Sequence, residues 1–154
     1  MSYYTDRAVE LFKSGFNCSQ AVFAAFADKI GMPEETALRV SAGLGGGVGR
    51  MREVCGAVCG AAMLAGMIYG ATEGSDRAAK AKTYEKVQEI AAEFRKTNRS
   101  IVCRELLGLS VGENSAPIPE ARTESYYKKR PCAKQIEDAA RAAEKILFSE
   151  EREV

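Results

Sequence analysis

The chain has 154 residues, 46% hydrophobic and 28% charged, which fits one globular domain over residues 1–154 and excludes disordered, collagen-like and coiled-coil chains. Its 22 basic and 21 acidic residues leave a net charge of +1, so no long-range field favours nucleic acid or an anionic membrane. The lack of any histidine removes Ser-His-Asp and Cys-His pairs, histidine metal ligands and a histidine-ligated haem.

The expected elements are all helical. Thr5 can cap a first helix carrying Ala8, Val9, Leu11 and Phe12, with Gly15 beyond it. Asn17 suits the N-cap of the next, and Gln20 three residues on completes a capping box. Ala21, Val22, Ala25, Phe26 and Ile30 give that helix an apolar stripe, which Gly31 ends. Pro33, Glu34 and Glu35 open a third helix that reaches Ala42. Five glycines follow within Gly43 to Gly49, and then an Ala/Gly-rich helix. Ser75 or Asp76 starts a long helix with Ala79, Thr83, Val87, Ile90 and Phe94 on one face. Ser100 can cap a short helix ending at Gly108, and a polar loop with Pro117 and Pro119 runs to about Tyr127. Pro131 opens the last helix, whose buried stripe is Ile136, Ala139, Ala140, Ala143 and Leu147. The expected fold is an all-α, single-domain bundle of about six helices, with the Ala/Gly-rich helix at its centre.

Residues Val54 to Thr72 carry no charge over 19 positions, close to a membrane span in length. Gly56, Gly60, Gly66 and Gly70 interrupt the stretch, and the reading is a central helix closely approached by others, not a stable span. The same small residues leave a close helix-to-helix homodimer open. The start, Met-Ser-Tyr-Tyr-Thr-Asp-Arg, has neither the basic nor the apolar region of a secretory signal, so a reducing cytoplasm is the expected location.

The cysteines carry the chemistry. Cys18, Cys55, Cys103 and Cys132 fall in the first turns of four different expected helices. Unpaired N–H groups and a partial positive charge at those ends favour thiolate. Arg50 and Arg52 precede Cys55, Arg104 follows Cys103, and Lys128, Lys129 and Arg130 precede Cys132. Cys55, with a glycine loop, a helix start and two arginines, is expected to be the most activated. Cys59 shares a helix face with Cys55 and reads as a small packing residue, with a resolving role or a fifth-ligand role left open. The glycine loop does not match Gly-x-Gly-x-x-Gly and no Gly-Lys-Ser/Thr follows it, which speaks against a nucleotide. Gly45, Gly46, Gly47 and Gly49, with Gly56, are expected to permit close backbone approach and to offer N–H groups to thiolates or cluster sulfides. Tyr126 to Arg130 mixes aromatic and basic residues but reads as a solvated loop on this neutral chain, not a nucleic-acid patch.

Together, Phe16-Asn-Cys18-Ser-Gln-Ala-Val22, the glycine stretch to Arg50, Cys55-Gly-Ala-Val-Cys-Gly60, Cys103-Arg-Glu-Leu-Leu-Gly108 and Cys132 resemble the C_GCAxxG_C_C family over about residues 5 to 148. The family is named for its cysteine motif and described as redox-active, a label resting largely on those cysteines. The resemblance assigns the family cysteines to Cys18, Cys55, Cys103 and Cys132 and places Cys59 at a variable position. It implies a small bacterial or archaeal redox protein, with members beside transporter genes and related modules connected with iron–sulfur centres. Covalent haem is not expected, because no Cys-x-x-Cys-His is present.

Three functions follow from these residues. The first is thiol–disulfide chemistry at Cys18, Cys55, Cys103 and Cys132, with an unidentified redox partner. The second is electron transfer or sensing through a [2Fe–2S] cluster or zinc held by the same four cysteines as metal ligands. The third is a non-enzymatic binding or assembly protein whose cysteines only pack.

Overall fold

The computed structural model describes residues 2–149. Eight α-helices occur among them: α1 (Tyr3–Lys13), α2 (Cys18–Ala25), α3 (Glu34–Ser41), α4 (Gly56–Tyr69), α5 (Arg77–Arg95), α6 (Cys103–Leu107), α7 (Glu124–Lys129) and α8 (Cys132–Ala143). The all-α expectation holds, with more helices than the expected six. The chain after α8 continues as a π-helical turn over Glu144–Phe148.

Helix α4 lies at the centre, against α2, α5 and α8. Its small residues explain how it fits. A side chain at Gly60 would place its Cβ 2.8 Å from the Ser19 carbonyl oxygen and 3.2 Å from Val22 Cβ. The first glycine pair of the uncharged stretch therefore serves packing inside this chain. Gly66, by contrast, faces open space. No helix among the described residues is long and apolar enough to cross a membrane.

The core is rich in alanine, with a few large side chains filling the gaps. Phe12, Phe23, Phe26, Phe94, Leu64, Ile90 and Ile136 are fully buried, each contributing about 1.5–3 kcal/mol by leaving water. Phe26 is stacked between Tyr4 and Phe148, with ring centroids 4.9 and 5.1 Å away. This ties α1 and the C-terminal turn to α2.

The expected capping box at α2 is present. The Gln20 N–H donates to Asn17 Oδ1, and the Asn17 N–H donates to Gln20 Oε1, both at 3.0 Å. Other boundaries differ from expectation. The helix expected to run to Gly31 ends at Ala25, and a 3-10 turn over Ala27–Ile30 follows. Ser2, not Thr5, caps α1, because its hydroxyl accepts the Thr5 N–H. Ser100 is not the cap of α6: its hydroxyl accepts the Val102 N–H, and the helix begins at Cys103. Pro131 is the cap residue of α8 rather than its first helical one. The expected polar loop contains α7, capped by the Thr123 hydroxyl.

One buried acid locks α5 to α8. Asp138 Oδ2 accepts from Thr97 Oγ1 at 3.0 Å, Asn98 Nδ2 at 3.0 Å and Lys134 Nζ at 2.7 Å. Burial pushes its pKa up, but these donors outweigh burial and hold it below the usual carboxylate value. Asp138→Ala is expected to lower stability by about 2 kcal/mol at neutral pH, through lost bonds to a charged group. The stabilisation exists above the unfolded pKa of about 3.9 and fades as pH falls through the lower folded value. Urea midpoints of the two proteins should therefore differ at pH 7 and converge in strong acid.

Candidate functional site

The chain leaves α3 through a single 3-10 turn at Ala42–Leu44 and enters a left-handed loop. Gly46, Gly47, Val48, Gly49 and Arg50 all have φ between 57° and 74°, and Arg52 has φ 62°. Three of these positions are glycine, which adopts this conformation without penalty. Val48, Arg50 and Arg52 bear Cβ atoms and cost roughly 1–2 kcal/mol each. The loop closes on itself: Gly49 N–H donates to the Gly43 carbonyl, Arg52 N–H to Gly46 and Glu53 N–H to Gly47.

Arg50 holds the turn from outside. Its guanidinium donates to the carbonyls of Ala116 and Ile118 and to Asn114 Oδ1. Arg52 Nε donates to the Asn114 carbonyl at 3.0 Å. The proline-bearing segment thus folds back over the glycine loop.

After the loop, Val54 forms an isolated antiparallel bridge with Val102. The Cys55 N–H donates to the Ile101 carbonyl at 2.7 Å, and the Cys103 N–H to the Glu53 carbonyl at 2.6 Å. This short ladder fixes the starts of α4 and α6 side by side. Glycine then allows close approach. A Cβ at Gly47 would lie 2.6 Å from Cys103 Cβ, and one at Gly56 would lie 3.2 Å from Cys18 Cβ.

Cys18, Cys55, Cys103 and Cys132 all line one cavity of about 400 Å³. Gly45, Gly46, Gly47, Gly49 and Gly56 line it as well. Arg50, Arg52, Arg122 and Arg130 complete its polar wall, with Glu120, Asn17 and Gln135; Phe12, Leu107, Pro117, Pro119 and Tyr126 supply apolar surface. Cys59 is not among the lining residues; its half-buried thiol points to the Val54 carbonyl at 3.7 Å. All five cysteines are free thiols.

The four thiols are not equivalent. Cys18 and Cys132 shift each other's ionisation. That interaction, together with burial, raises the Cys18 pKa well above its ordinary value. It lowers Cys132 to about 7, against the cost of burial and with help from Arg130, Arg122 and Arg52. Burial pushes Cys55 up to about 12, although the N–H groups of Val58 and Ala57 reach its sulfur. Cys103 is raised by burial too, and Arg52 Nη1, 3.8 Å from its sulfur, opposes that rise.

Of the four, Cys132 alone is shifted downward, and Cys55, expected to be the most activated, is shifted upward. Helix ends favour thiolate, but at Cys55 desolvation outweighs the N–H groups of one helix turn. The arginines are also redistributed. Arg50 serves the loop, Arg52 reaches Cys103, and Arg104 donates to the Arg52 carbonyl and Glu53 instead of a thiol. The expectation that loop N–H groups form an anion nest is reduced as well. Those of Val48, Gly49, Arg50, Arg52 and Glu53 close the loop itself.

Sequence reasoning missed Arg122 and treated Tyr126 as part of a solvated loop. Arg122 stacks on Phe12 at 4.5 Å and Tyr126 at 4.9 Å, and donates to the carbonyls of Phe12 and Phe16. No local pattern marks it; its partners lie more than a hundred positions away in sequence. The Tyr-Tyr-Lys-Lys-Arg run was visible, and two of its members, Tyr126 and Arg130, face the cavity.

Among the described residues, no group of three or more His, Cys, Asp or Glu side chains is placed to hold a single metal ion. The four sulfurs share a cavity without converging on one point. A mononuclear tetrahedral zinc site, which needs closed thiolate ligation at about 2.3 Å, does not fit this arrangement.

No curated protein and no solved structure matches the chain at a significant level. The shared cysteine cavity accords with the one comparison that does match: the family described as "Putative redox-active protein (C_GCAxxG_C_C)" covers residues 16–146, and the chain belongs to that family.

Proposed function

We propose that this protein performs thiol–disulfide exchange, with Cys132 as the attacking thiol and Cys18 as the resolving one. The observation that carries the reading is that Cys18 and Cys132 line one cavity walled by arginines, where each shifts the other's ionisation. A thiolate is the attacking species, and an attacking thiol works best with a pKa near the ambient pH. Cys18, lining the same cavity, is the candidate to close the disulfide. Cys103, beside Arg52, and Cys55, deeper in the wall, support the cavity in this reading.

The pH dependence tests it. Cys132 should be half ionised near pH 7, so its alkylation by iodoacetamide rises with pH and levels off above that point. Cys18→Ala removes the largest cause of the lowered pKa. The midpoint should then move upward, toward the ordinary thiol value of about 8.5. Peptide mapping of the alkylated residue against pH reads both results. A wild-type midpoint at or above 8.5 would refute the assignment.

A second reading is favoured by a separate observation, that all four family cysteines line one cavity with arginines around it. A [2Fe–2S] cluster takes two thiolates per iron, so it does not require three sulfurs around one ion. Cys18, Cys55, Cys103 and Cys132 would hold it, and the cluster would supply one-electron transfer. Arg52, Arg122 and Arg130 would offset the negative charge of the ligand set. Iron analysis and visible spectra of protein purified without oxygen separate the two readings.

A further inference from the structure

The cavity carries more positive charge than its thiols account for. Four guanidinium groups line it against the single carboxylate of Glu120. Arg130 and Arg50 share that carboxylate, Arg50 at 3.8 Å. Arg52 is 5% exposed, and its hydrogen bonds go to the Asn114 carbonyl and Cys103 Sγ. A buried charge with no opposite charge beside it is expensive. Burial and the charge on Arg52 also lower the pKa of Arg50, so the cations work against one another. One thiolate does not neutralise the excess. The remaining wall is apolar, from Phe12, Leu107, Pro117, Pro119 and Tyr126. Its volume of about 400 Å³ lies within the usual range for small-molecule sites.

We infer that this cavity is the binding pocket for a small anionic disulfide, whose carboxylates are held by Arg50, Arg52 and Arg130 while its sulfurs lie against Cys132. The inference rests on the thiol–disulfide reading above and names its substrate class. Carboxylates answer the unbalanced guanidiniums, and a short aliphatic chain suits the apolar wall between them. The Cys132 thiolate bonds to one sulfur of the disulfide. The S–S bond breaks, and its electron pair leaves on the second sulfur, which takes a proton and departs as a thiol. The Cys18 sulfur, losing its proton, then bonds to Cys132 Sγ and expels the first sulfur, which is protonated in turn. The protein loses two electrons and gains the Cys18–Cys132 bond. The small disulfide gains those electrons and leaves as two thiols, one proton coming from Cys18 and one from solvent.

The test compares three probes on the reduced full chain: 3,3′-dithiodipropionate (anionic), 2-hydroxyethyl disulfide (neutral) and cystamine (cationic). Rates of Cys18–Cys132 disulfide formation are read by mass mapping and divided by the rate of each probe with a free thiol. The anionic probe should react at least about tenfold faster than the neutral one, as charge-assisted hydrogen bonds require. That ratio should shrink in high salt, and Arg130→Gln should cut it about tenfold. The salt readout needs no variant and stands if Arg130→Gln fails to fold. Equal rates for the three probes, or a preference for cystamine, overturn the inference and leave the thiol reading intact. If none of the three forms the Cys18–Cys132 disulfide, the thiol reading fails and the inference with it.

Discussion

Cys132→Ser should lose disulfide exchange almost entirely, with the rate falling by about a thousandfold or more, as expected when a nucleophile is removed. Its sulfur is the one whose pKa is brought down to about 7, by the interaction with Cys18 and by three arginines. Cys18, Cys55, Cys103 and Cys59 are all shifted the other way. At neutral pH they stay protonated, and a thiol is a far poorer nucleophile than a thiolate. Stopped-flow mixing with a small disulfide, followed by mass mapping, measures the loss. A variant reacting within tenfold of the wild type would place the attacking sulfur elsewhere. Cys55→Ser supplies the contrast. The Cys18–Cys132 disulfide should still form in it, whereas a cluster held by four thiolates is lost with any one of them.

Gly47→Ala should cost about 3 kcal/mol or more of stability. Two penalties act together. At φ 74° an L side chain is strained, by roughly 1–2 kcal/mol. The new methyl would also lie 2.6 Å from Cys103 Cβ, 2.7 Å from the Glu53 nitrogen and 2.8 Å from the Arg52 carbonyl carbon. Two of those atoms are backbone, held by the Val54–Val102 bridge and its flanking bonds, so they cannot swing away. Overpacking of this kind costs about 1–3 kcal/mol. Gly66→Ala is the control. Gly66 lies in α4 with nothing within 4 Å of an added Cβ, so alanine there should stabilise by about 0.5–1 kcal/mol. Denaturant midpoints of the two variants should move in opposite directions.

Much of the fold was legible because its signals are local. Asn17 and Gln20 sit at the right spacing for a capping box, and both bonds form. The four cysteines at helix starts, read from caps and prolines alone, do line one cavity. The role of each cysteine was not legible, because burial is a tertiary quantity. Cys55 looked activated with two arginines nearby in sequence. The left-handed loop and the Val54–Val102 bridge turn those arginines toward Asn114 and Cys103 instead. Likewise α7 was hidden, since its six residues are too few for an apolar period to show. Arg122 reaches the site from a segment with no motif of its own.

The order of the four cysteines along the chain has a consequence during synthesis. Cys18 leads, and Cys132, the sulfur held near neutral pKa, is the last of them to be made. Its low pKa depends on Cys18 at one end of the chain and on Arg130 beside it at the other. That lowered pKa arises only once α8 has been made and packed against α1 and α4.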